Sequence, residues 1–129
     1  MAKIEFTRGD GHYHKFRMPA SSWSAGGRLF FAAKPAIDDD NTDSAALIQG
    51  NWGDESVTDV TINGVAYKEY SCYFPPEATN SIESNGASSL ELLGEFQWVP
   101  LSGVPVTFPA NDQKLEVVVY FDVKRKTSV

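Results

Sequence analysis

Cysteine is almost absent from this chain of 129 residues: Cys72 stands alone. An internal disulfide is therefore excluded, and the fold must rest on an apolar core, which suits folding in a reducing cytoplasm. Long hydrophobic runs are missing too. No stretch approaches the roughly 18 apolar residues of a membrane span. The opening Met1-Ala2-Lys3-Ile4-Glu5-Phe6 lacks a signal-peptide core and reads directly as a strand. These absences predict synthesis in the cytoplasm and no membrane partner. Basic charge is scarce, with 11 Lys and Arg against 17 Asp and Glu and a net charge of −6. Such a surface repels phosphate backbones, and the one basic cluster, Lys124-Arg125-Lys126, is too short for nucleic-acid binding. Catalytic signatures are lacking as well: no Gly-x-Ser-x-Gly, phosphate-cradling glycine loop or His-Glu-x-x-His occurs. Cys72 lies between Tyr70 and Phe74 in a strand pattern, which marks a core thiol rather than a nucleophile. The sequence thus predicts no enzyme and no cofactor.

What is present is alternation. Hydrophobic residues make up 42 % of the chain, enough for a folded core, and they recur with period two far more than with helical period. Lys3 to Thr7 reads as a first strand, and Arg8-Gly9-Asp10-Gly11 as the turn after it. In the next strand His12, His14, Phe16 and Met18 share one face, with Tyr13, Lys15 and Arg17 on the other. Arg28 to Lys34 is a compact apolar strand ended by Pro35, and Ala46 to Asn51 a short one. The clearest hairpin joins Thr58–Ile62 to a strand running from Val65 to Phe74 through Asn63-Gly64, a pair that accepts the two positive φ angles of a type I′ turn. After a polar stretch with one expected helical turn near Glu77 to Ile82, strands follow at Gly94–Pro100, Val104–Phe108 and from Leu115 onward. Eight or nine short strands in 129 residues suggest a sandwich or a barrel, and hairpin order and uneven loops favour one domain over residues 1–129 built as an antiparallel β-sandwich.

Several features invite sharper readings. Arg8-Gly9-Asp10 matches an integrin-binding tripeptide, but a turn with Gly9 at an unusual φ explains it as well. His12 and His14 project from one strand face about 7 Å apart and offer two metal ligands, without a third nearby. Asp38, Asp40 and Asp43 lie in an acidic loop; from Asp38 to Asp59 there are seven carboxylates and no Lys or Arg. Hard oxygen ligands suit Ca²⁺, but the EF-hand spacing is missing, so these three are candidate ligands beside the reading as a solvated loop. Trp98 alternates with Phe96 and belongs to the core. Trp23 and Trp52 fall in loop-like stretches, where an exposed aromatic would mark a contact surface for a protein or a glycan.

The ordered strand motifs resemble the N-terminal Ig-like domain of phage and prophage baseplate upper proteins. The matching pieces are Phe6 with Arg8-Gly9-Asp10, Leu29 to Lys34, Tyr70 to Phe74, Phe74-Pro75-Pro76-Glu77-Ala78-Thr79, Gly94-Glu95-Phe96-Gln97-Trp98, and Phe121-Asp122-Val123-Lys124-Arg125. The final pair departs from the family's Thr-Arg ending. The resemblance implies an Ig-like β-sandwich of about seven to nine strands, and a structural virion component that holds tail or baseplate proteins together, with other such proteins, or further copies of itself, as partners. On this reading the surfaces to inspect are Trp23, Trp52 and the strand edge at His12 and His14. The alternative is a carbohydrate-binding module with an aromatic platform and, at Asp38 to Asp43, Ca²⁺.

Overall fold

The type I′ hairpin forms as its sequence dictates: Asn63 and Gly64 take φ of 52° and 81° between β5 (Val57–Ile62) and β6 (Val65–Phe74) in the computed structural model. The structure describes residues 3–35, 46–84, 86–108 and 115–121. Seven further strands complete an all-β fold: β1 (Lys3–Thr7), β2 (His12–Pro19), β3 (Arg28–Lys34), β4 (Ile48–Trp52), β7 (Ser89–Val99), β8 (Val106–Phe108) and β9 (Leu115–Tyr120). Among the described residues one short α-helix, α1 (Glu77–Asn80), follows Pro75-Pro76 where a helical turn was expected.

The strands form two sheets. One has the order β2-β6-β5; the other runs β1-β9-β7-β3-β4, with β8 added along β7. The second, fifth and sixth strands thus face the third, seventh and last as the two layers of a β-sandwich. One pairing departs from the antiparallel expectation: β1 lies parallel to β9, with Ile4 opposite Val117 and Phe6 opposite Val119. The reason is local. The turn at Arg8-Gly9 carries the chain from one sheet to the other rather than folding β2 back on β1. Ile4 and Phe6 are thereby buried at the edge of the larger sheet, and the rest of the domain supplies the long connection a parallel pair requires.

Alternation places the core. From the small sheet come Phe16, Met18, Tyr70, Cys72 and Phe74; from the large one come Leu29, Phe31, Ile48, Trp52, Phe96, Trp98, Val117 and Val119. All are buried, and each large apolar side chain so placed stabilises the fold by roughly 1.5–3 kcal/mol. Aromatic rings bridge the sheets. Phe74 meets Phe6, Phe31 and Trp52 edge-on at centroid distances of 5.0, 5.2 and 5.1 Å, and Phe16 lies 4.6 Å from Phe96. At the centre the Tyr70 hydroxyl accepts two indole N–H bonds, from Trp23 at 2.8 Å and Trp98 at 3.0 Å. β7 begins at Ser89, five residues before the expected Gly94, because Leu90 to Leu93 pair with β9.

Candidate functional site

The Arg8-Gly9-Asp10 turn is a structural tie, not a displayed motif. Gly9 adopts φ 81°, and the Asp10 N–H closes the turn on the Thr7 carbonyl at 3.0 Å. The Gly9 N–H donates to Thr79 Oγ1 on α1 at 2.9 Å, and the Arg8 guanidinium donates to the Ile82 carbonyl at 2.8 Å. The same guanidinium covers the Phe121 ring at 4.8 Å. Arginine and glycine of the tripeptide are thus both spent on clamping α1 to the end of the sandwich.

The tryptophans expected on the surface lie elsewhere. Trp52 is the last residue of β4 and is buried against Phe74, because strand alternation extends one residue past the expected end at Asn51 and turns its ring inward. Trp23 is half-buried; its N–H is engaged by Tyr70, and Lys68 Nζ sits over its ring at 4.3 Å while ion-pairing with Asp59 at 2.6 Å. Trp52 is closed to a ligand, and Lys68 occupies one face of Trp23. His12 and His14 do share the inner face. His12 packs 4.9 Å from Phe6, and His14 stacks on Phe96 at 5.7 Å. Burial pushes the pKa of both below the ordinary histidine value, with His12 adding to the effect at His14. Among the described residues no group of three His, Cys, Asp or Glu side chains converges as a metal site would require. Asp38, Asp40 and Asp43 lie outside the described residues. Cys72 is fully buried, and desolvation pushes its thiol pKa up to about 12, so it stays protonated and shielded.

Three surface features escaped the sequence reading. The first is the β7–β8 hairpin, whose tip exposes Leu101 (79 %) and Val104 (82 %) beside a partly exposed Val106. Gly26 lies directly under Leu101: a Cβ there would come within 3.1 Å of its side chain, so the neighbouring loop supports the tip. No charged residue occurs between Glu95 and Asp112, and this was the available signal. The second is Glu69 on the outer face of the small sheet, buried although charged. It binds Arg17 across the strand pair at 2.6 Å, with Lys15 at 3.8 Å. The third is an exposed tyrosine pair on that same face, Tyr13 opposite Tyr73, with ring centroids 4.6 Å apart. A groove of about 300 Å³ on the large sheet is lined by Lys3, Glu91, Leu93, Glu116 and Val118 among others.

The edges of the small sheet are β2 and β5. Lys15, Arg17 and Pro19 stand along β2, the kind of residues that discourage a further strand from pairing there. The hairpin tip carries no such protection. No protein-family model and no curated protein sequence matches this chain.

Proposed function

We propose that this chain is a structural, non-enzymatic module of a phage or prophage tail or baseplate, acting by protein–protein contact. The observation that carries the reading is the apolar β7–β8 tip, with Leu101 and Val104 almost wholly in solvent in a stretch without charged residues. Exposed aliphatic side chains at a supported tip fit an apolar pocket of a partner, where burial of each stabilises the complex. The order of the motifs that resemble the baseplate upper proteins adds to this, since they fall in sequence on β1 and its turn, β3, β6, α1 and β7 of a sandwich, with Asp122 to Arg125 of the last piece outside the described residues. Repetition of the module around a symmetric particle would multiply a weak contact into a firm one.

The test is incorporation. Particles assembled from the encoding phage or prophage contain the chain in fixed ratio to the other tail proteins. Leu101→Asp with Val104→Asp leaves the domain folded but removes it from the particles. Particles lacking the chain, or incorporating the double variant normally, contradict the reading.

A further inference from the structure

The outer face of the small sheet carries a feature that the assembly reading does not use. Tyr13 is 69 % exposed and Tyr73 41 %, and they stand opposite each other across β2 and β6. Their rings pack partly face to face, with centroids 4.6 Å apart and a tilt of 37°, so Tyr73 covers one face of Tyr13 and the exposure of Tyr13 lies on the other. Tyr73 is held in place at its edge. Gly11 lies against the edge of Tyr73, so close that a Cβ there would come within 2.9 Å of the phenol oxygen. The adjoining pair in the register is Lys15 opposite Ser71, both exposed. Beyond it Arg17 satisfies Glu69 at 2.6 Å, leaving the Lys15 ammonium with one longer contact at 3.8 Å and donors toward solvent.

We propose that this face binds an acidic saccharide, with a pyranose ring on the open face of Tyr13 and the sugar carboxylate on Lys15. Three physical arguments select that occupant. The open part of Tyr13 is a fraction of the roughly 150–250 Å² that an aromatic side chain can bury, far short of the ~800 Å² per partner of a stable protein interface. That area suits one sugar ring. The apolar C–H face of a pyranose lies flat on aromatic rings, while its hydroxyls need donors and acceptors at the rim, which Lys15, Ser71 and the phenol hydroxyls supply. Local charge completes the match. Lys15 and Arg17 outnumber Glu69 here, so a basic spot sits on a chain of net charge −6 and favours a carboxylate. The site uses neither Trp23 nor Trp52 and is independent of the hairpin tip.

The experiment is a titration of the isotope-labelled full chain, followed by NMR, with oligogalacturonate and hyaluronan fragments, and with malto- and cello-oligosaccharides as neutral probes. The expected result is saturable binding of an acidic probe, with shifts confined to Tyr13, Lys15, Ser71 and Tyr73. Tyr13→Ala should weaken it about tenfold, the size of one lost aromatic stacking contact. Lys15→Ala should erase the preference for acidic over neutral probes, and Leu101→Asp should change nothing. Tyr13 and Lys15 are exposed, so both variants keep the fold. Lack of binding by every probe at millimolar concentration, neutral probes binding as tightly as acidic ones, shifts mapping elsewhere, or unchanged affinity in Tyr13→Ala would each overturn the proposal.

Discussion

Replacing Tyr70 by Phe removes one oxygen atom from the centre of the core and leaves its volume nearly intact. That oxygen accepts from Trp23 at 2.8 Å and from Trp98 at 3.0 Å. The two donors fare differently after its loss. Trp23 is half-buried, so its N–H can turn to water, and the lost bond costs about 0.5–1.5 kcal/mol. Trp98 is 2 % exposed, and its N–H is stranded, at a cost of about 1–3 kcal/mol. The expected destabilisation is roughly 2–4 kcal/mol, read as a shift of the urea midpoint at unchanged slope. A double-mutant cycle sharpens the test. Removing donor and acceptor together avoids the stranded group, so Tyr70→Phe with Trp98→Phe costs about 1–2 kcal/mol less than the sum of the single changes. A Tyr70→Phe variant within about 0.5 kcal/mol of the parent, or strict additivity, refutes the reasoning.

Other outcomes follow from the same structure. Arg17→Met leaves the Glu69 carboxylate, whose side chain is 8 % exposed, with only Lys15 at 3.8 Å; urea unfolding should show a loss of about 2–3 kcal/mol, below the full buried-pair range because Arg17 itself reaches solvent. Adding Glu69→Met should recover most of that loss. For pH, burial lowers the folded-state pKa of His12 and His14 below 6.5, so the unfolded chain binds protons first. Stability is therefore complete above pH 6.5 and falls as pH drops through the lowered values; unfolding free energies at successive pH values should show this, and His12→Gln with His14→Gln should flatten it. Cys72 should resist thiol reagents at pH 8 in the native protein and react fully in denaturant; rapid native labelling would mean that the sheets part more easily than their packing implies.

The sequence reading went furthest where a local rule acts alone. Period-two alternation located both faces of β2, and Asn63-Gly64 fixed the hairpin between β5 and β6. It went less far where the answer depends on which sheet receives a strand. Nothing within Lys3–Thr7 reveals that its partner is β9 in parallel, because a turn sequence does not state whether it folds the chain back or carries it across. Trp52 illustrates the same limit: the polar residues around it resemble a loop, yet pairing with β3 turns the ring into the core. The surface was hardest to read. Tyr13 and Tyr73 lie sixty positions apart, and only the β2–β6 register brings them together. Arg8 looked available as part of a known tripeptide until the Ile82 carbonyl and the Phe121 ring gave it partners.

If the domain works by presenting surfaces, chiefly the β7–β8 tip, to other proteins of a particle, assembly must shield that tip. Hydrogen–deuterium exchange of the free chain and of the same chain in assembled particles should then show added protection over Leu101 to Val106 on assembly, with the amides of β3, β6 and β7 equally slow in both states. Protection confined to other segments, or a tip that exchanges as fast in the particle as in solution, would contradict it.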